Sequence, residues 1–269
     1  MGGLLSRQDL HFSWSAGHLR VDSFSTPFFA VALLGMLTLL AALCWLPESH
    51  PTPSALDPDP AIALSQKLRP DWRSLVRTLS PLLVLTVAGQ FALTMFEGTF
   101  ALFAQAKFDF GPAEVGYVFM VCGLVMTVFQ AGAVGLLAGK VSEMIQIGVG
   151  FALMGTGIAL LAVAQTKPLI FAFVALLSLG MALITPNLAA LVSNRGGDQQ
   201  AGASLGIQNA ANNLGQAGGP LLGGMLFVWR ANAPYLLSGA LLIALALYIA
   251  WIVAVKHRAG STFGAINYE

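Results

Sequence analysis

Gly206-Ile-Gln-Asn-Ala-Ala-Asn-Asn-Leu-Gly-Gln-Ala-Gly-Gly-Pro-Leu-Leu-Gly-Gly224 carries five side-chain amides and six glycines and no charge. At the 100° per residue of an α-helix, Gln208, Asn209, Asn212, Asn213 and Gln216 fall within an arc of about 140°, and Ile207, Leu214, Leu221 and Met225 take the opposite side. The segment reads as a helix with one wet face and one apolar face. Gly202, Gly215, Gly219 and Gly223 lie on or beside the amide arc, where a neighbouring helix meets no side chains and comes close. One or two amides would be hydrogen-bonding glue between helices. Five on one arc, in hydrocarbon where each unpaired polar group costs several kcal/mol, favour a water-accessible cavity.

The rest of the chain supplies the hydrocarbon setting. Its 269 residues are 57% hydrophobic and 9% charged, against roughly 25% charged in soluble domains, and the mean hydropathy is +0.76. Seven apolar runs, at 27–46, 80–104, 115–138, 144–164, 168–192, 202–228 and 233–255, are long enough to cross a bilayer as helices. The sequence therefore predicts an all-α, polytopic transmembrane helix bundle of about seven spans. Residues 1–46 are an outer segment with the first span, 47–78 a central loop, 79–258 a six-helix transmembrane portion and 259–269 a tail. Six prolines stand between Pro47 and Pro70, and Asp71–Arg77 reads as a short amphipathic helix lying along the membrane.

Charge and chemistry narrow the function. A formal net charge of +1 gives no basic surface for nucleic acid. Cys44 and Cys122 lie in apolar runs, as small hydrophobes do, and say nothing of redox compartment. Met1–Ser6 fits the N-myristoylation pattern, but the pattern is short and a polytopic chain needs no lipid anchor. Gly202-Ala203-Ser204-Leu205-Gly206 matches the nucleophile-elbow pattern, yet no strand precedes it. His11, His18, His50 and His257 all lie outside the spans, so Ser204 has no base. No enzyme activity, cofactor or metal is expected. A retinal protein is disfavoured because no span interior holds the lysine for a Schiff base.

Orientation follows from Lys and Arg, which accumulate in cytoplasmic loops. One side gathers Lys67, Arg69, Arg73, Arg77, Lys140, Arg195, Lys256 and Arg258; the other has Arg7, Arg20, Lys107, Lys167 and Arg230. The central loop and the C-terminus are expected to be cytoplasmic, the Met1 segment external, and the location the cell (plasma or inner) membrane. An external N-terminus without a signal points to preceding spans.

The second span repeats the polar stripe. Thr86, Gln90, Thr94 and Glu97 lie within an arc of roughly 80°. Glu97 is the only acidic residue well inside an apolar run, and an intramembrane carboxylate is a functional candidate because its ionisation there is costly. It is assigned to proton coupling, against the alternative of an interfacial carboxylate reaching water. Thr127 and Gln130 in the third span and Ser178 in the fifth are weaker signals. At the Thr185-Pro186-Asn187 break a proline frees a carbonyl, and Asn187 is a further candidate for the same cavity, against a structural role beside the kink. The expected solute-binding residues are Gln90, Thr94, Asn187, Gln208, Asn209, Asn212, Asn213 and Gln216.

These stretches resemble a known family. Gly215-x-x-x-Gly219-Pro220-x-x-Gly223-Gly224 resembles the glycine-proline signature of drug/proton antiporters in the major facilitator superfamily. Leu46-Pro47-Glu48-Ser49 resembles the close of the sixth helix there, and Gly2-Gly3-Leu4-Leu5 the tail of the signature on the fifth. Gly135-Leu-Leu-Ala-Gly-Lys140-Val-Ser-Glu143 resembles the cytoplasmic loop between the second and third helices of each half. Two departures stand out. The complete signature lies in the pseudo-symmetric counterpart of its usual helix, and Gly139 stands where the first-half loop motif has aspartate.

The resemblance implies helices six to twelve of a twelve-helix, N-terminally truncated transporter, with the first span closing the first half. Its complete form would move a small, amphipathic solute by alternating access, as proton-coupled efflux. Its partners would be a small-molecule substrate, protons, the lipid bilayer and a missing or separate N-terminal half. The alternative is a chain that does not transport by itself, as a remnant or a half-transporter.

Overall fold

The structure, a computed structural model, describes residues 14–16, 19–21, 26–46, 72–134, 139–197 and 200–264. Contacts group the chain into two units, Met1–Arg69 with Phe110–Tyr117, and Pro70–Asp109 with Val118–Glu269. In the first unit, strands β1 (Trp14–Ala16) and β2 (Leu19–Val21) pair antiparallel with Trp14 opposite Val21. Helix α1 (Thr26–Trp45) carries no charge, and Leu33, Leu37, Leu40 and Leu43 along it are all exposed. Such a surface suits hydrocarbon as its solvent.

Six more helices follow: α2 (Trp72–Phe108), α3 (Pro112–Phe129), α4 (Glu143–Val163), α5 (Lys167–Gly196), α6 (Ala201–Trp229) and α7 (Ala233–Gly264). Helix α3 runs on into a π turn at Gln130–Val134. The seven helices fall on the seven predicted spans, making an all-α transmembrane bundle. Among the described residues, α1 to α5 and α7 are long and apolar enough to cross a membrane. Helix α6 has the length, 29 residues; its amides and glycines lower its hydropathy.

Residues 72–77, expected as a separate surface helix, are instead the first turns of the 37-residue α2, which runs unbroken through Pro81. Pro81 has no N–H to give the Arg77 carbonyl, and the Ser80 hydroxyl donates to that oxygen instead at 2.8 Å. The vacated hydrogen bond is replaced locally, so the helix continues.

Within the second unit α2 packs most extensively on α6, and α4 on both α5 and α7. Glycines make these seams, because between helices in lipid the association comes from close backbone packing. A Cβ on Gly215 would lie 2.8 Å from the Val87 carbonyl oxygen, one on Gly150 2.8 Å from that of Gly180, and one on Gly239 2.8 Å from that of Gly155. Toward one end of the bundle Phe96, Phe100, Phe103 and Tyr235 are buried together, with the Phe103 and Tyr235 rings 4.5 Å apart. Lys107, in the last turn of α2, donates to the Ala162 carbonyl at 3.0 Å and so satisfies an acceptor that the end of α4 leaves open.

Candidate functional site: an amide-lined cavity between α2, α5 and α6

The α2–α6 seam fixes which residues of the amide arc turn inward. Gly215, Gly219 and Gly223 sit against Val87, Phe91 and Met95 of α2. This contact turns Gln208 and Asn212, on the same stripe one to two turns earlier, toward Gln90. Between α2, α5 and α6, with Met154 of α4, lies a cavity of about 110 Å³. Its polar lining is Thr86, Gln90, Thr185, Gln208 and Asn212; Leu85, Leu93, Met181, Ile184 and Leu188 form apolar walls. The space is large enough to hold several waters.

The hydrogen-bond inventory shows which polar groups are available there. The Thr86 hydroxyl donates to the Leu82 carbonyl at 2.9 Å and the Thr185 hydroxyl to that of Met181 at 3.2 Å. Gln90, Gln208 and Asn212 bond through their side-chain amides to no other described group, and no sealed side-chain nitrogen or oxygen among the described residues lacks a partner. The three amides therefore reach open space. In lipid that arrangement is stable only where water or a ligand enters.

The remaining expected residues go elsewhere. Asn209, Asn213 and Gln216 are exposed, on the flank of α6 next to the cavity stripe. On the far side Leu214 and Leu221 are each 69% exposed, as an apolar face in lipid should be. The Thr94 hydroxyl bonds the Gln90 carbonyl of its own helix at 2.9 Å and lies 3.2 Å from the Gly215 carbonyl, so it serves the α2–α6 seam. Asn187 donates to Gln146 Oε1 at 3.1 Å and to the Leu183 carbonyl at 2.7 Å, and Gln146 donates to the Val141 carbonyl at 2.8 Å. Asn187 thus ties α5 to α4 and does not line the cavity. Gln146 was missed in the sequence, although it is the only amide in the run that becomes α4.

Glu97 is exposed and lies within electrostatic reach of Cys122 on α3. It stands seven residues beyond Gln90 on α2, about 10 Å of helix rise, and is not part of the cavity wall. The polar stripe of α2 is therefore split three ways, with Thr86 and Gln90 at the cavity, Thr94 at the seam and Glu97 outside both.

The family model of the Major Facilitator Superfamily matches residues 12–217 and 144–266. Multidrug resistance protein 2 of Bacillus subtilis (strain 168) is 28% identical over 236 residues, covering 84% of this chain and 56% of the relative. The class B tetracycline resistance protein of Escherichia coli is 27% identical over 202 residues, covering 75% and 50%. The human organic anion transporter MFSD10 (TETRAN) superimposes with a TM-score of 0.67 at 23% identity, over 85% of this chain and 57% of that one, a likeness of fold. The chain spans about half the length of the curated relatives it matches. With seven helices on the predicted spans, a glycine-built α2–α6 seam and these matches, this multi-pass membrane chain belongs to the Major Facilitator Superfamily.

Proposed function

We propose that the chain forms the C-terminal portion of a transporter that moves a small, amphipathic solute outward across the cell membrane by alternating access, driven by protons. The observation that carries this reading is the cluster of three uncommitted amides, Gln90, Gln208 and Asn212, opening onto a cavity inside a largely apolar bundle. Efflux is supported by relatives named for multidrug and tetracycline resistance. Glu97 supplies the proton-responsive group, and Asn209, Asn213 and Gln216 extend the wet face toward an N-terminal half, joined or separate. The central loop and C-terminus face the cytoplasm, on the strength of the eight-to-five division of Lys and Arg.

The relatives extend over about twice the matched span, and in a second reading the chain works only with a separate N-terminal half. Everted vesicles bearing the chain, alone or with a coexpressed N-terminal portion of five helices, test both readings with tetracycline and ethidium as probes. Uptake driven by an acidic interior and abolished by nigericin is expected, and a requirement for the coexpressed half selects the second reading. A cysteine introduced at residue 62 should label from the outside in these vesicles and not in intact cells. Uptake equal to that of empty-vector vesicles in both arms overturns the transport reading.

A further inference from the structure

We propose that the cavity between α2, α5 and α6 takes an uncharged hydrogen-bonding group of the solute, with a primary carboxamide as its best match, and discriminates against an ammonium. The inference rests on the reading of these residues as solute-facing. None of the side chains around the cavity is ionisable. Each of the amides of Gln90, Gln208 and Asn212 brings two N–H donors and a carbonyl acceptor. The Thr86 and Thr185 hydroxyls spend their hydrogens on the Leu82 and Met181 carbonyls, so within the cavity they offer acceptor lone pairs only.

A carboxamide presents the same complement as the wall, two donors and one acceptor, and pairs with it edge to edge. An ammonium brings donors alone. It would leave the wall's N–H groups without acceptors and would give up its hydration where no carboxylate receives it. The only carboxylate on α2, Glu97, lies about 10 Å further along the helix.

Volume sets the second limit. About 110 Å³ accommodates a substituent of a few heavy atoms and excludes a drug-sized molecule. The apolar body of the solute must then rest outside, with its polar group inserted among walls that include Met154 and Met181, unbranched side chains that adapt to different shapes.

The test is equilibrium dialysis of naphthylacetamide and naphthylethylammonium against the full chain in nanodiscs, with protein-free nanodiscs as the partition reference. Two hydrogen bonds to the wall predict roughly tenfold tighter binding of the carboxamide. Gln208→Leu and Asn212→Leu should each erase that preference. Asn212→Asp, which keeps the volume and adds a charge, should turn it toward the ammonium, and this reversal is readable even where a leucine variant does not fold. Equal binding of the two probes to the parent overturns the proposal, as does a preference that survives both leucine variants. A carboxamide preference in nanodiscs without uptake in vesicles would remove the transport reading and leave the recognition chemistry standing.

Discussion

Glu97→Gln is expected to abolish proton-driven accumulation of solute in everted vesicles, down to the level that solute's own gradient sustains, while leaving binding and downhill exchange intact. Glutamine reproduces the shape and hydrogen bonding of the protonated acid but cannot release a proton. Glu97 is the only acid well inside an apolar run, and in the structure it is exposed beside α3 instead of being sealed among helices. A carboxylate so placed exchanges protons with whichever compartment reaches it. Its separation from the cavity has a kinetic consequence. On the proposed assignment proton and solute occupy different places on α2, so lowering the pH should change the rate of accumulation more than the apparent affinity for solute. Accumulation by the glutamine variant equal to that of the parent would place coupling on a group other than Glu97.

Gly180→Leu is expected to eliminate folded protein, and Gly180→Ala to lower the thermal midpoint clearly, each followed by size-exclusion chromatography of the detergent-solubilised chain. At Gly180 the backbones of α4 and α5 touch: an added Cβ would press on the Gly150 carbonyl and on the backbone nitrogen of Met154, and would come within 2.8 Å of the Met154 Cβ. Backbone atoms do not step aside as flexible side chains do. Overpacking of even one methyl costs roughly 1–3 kcal/mol, and four carbons at a helix seam force the pair apart. Gly206→Ala is the contrast, because nothing lies within 4 Å of a Cβ there. Removing a helix-interior glycine at an open site should leave stability unchanged or raise it by up to about 1 kcal/mol. Equal losses at positions 180 and 206 would mean that the seams are not built by close glycine contact.

The fold is legible in the sequence because in a membrane the signal for a span is simply length and hydropathy. All seven helices lie on the predicted runs, and α6, the least apolar, stands out through its amphipathic arc. The glycines at 215, 219 and 223 mark the face of a close neighbour, and α2 meets them there; Gly202, grouped with them, faces open space. Periodicity does not say which neighbour faces which part of a wide arc. The 140° arc of α6 divides between a cavity side, Gln208 and Asn212, and an exposed flank, Asn209, Asn213 and Gln216, because the helix pair α2–α6 sets the rotation. The same limit applies to Asn187. Its partner, Gln146, is 41 residues away on another helix, and no local pattern announces that pairing. The 72–77 segment differs from expectation for another reason: the prolines before it and Pro81 after it look like helix ends, and the Ser80 hydroxyl that lets α2 pass Pro81 acts within a single turn.

Single-cysteine accessibility tests most directly whether the amide stripe lines a water-filled path. With Cys44 and Cys122 replaced by serine, the variants Gln208→Cys, Asn212→Cys and Gln216→Cys are expected to react rapidly with a small hydrophilic methanethiosulfonate reagent, and added solute should slow that reaction. Ile207→Cys and Leu214→Cys, on the lipid side of α6, should react slowly under the same conditions. Rapid reaction confined to positions 207 and 214, with 208, 212 and 216 silent, would contradict a wet amide face and make those amides sealed contacts between helices.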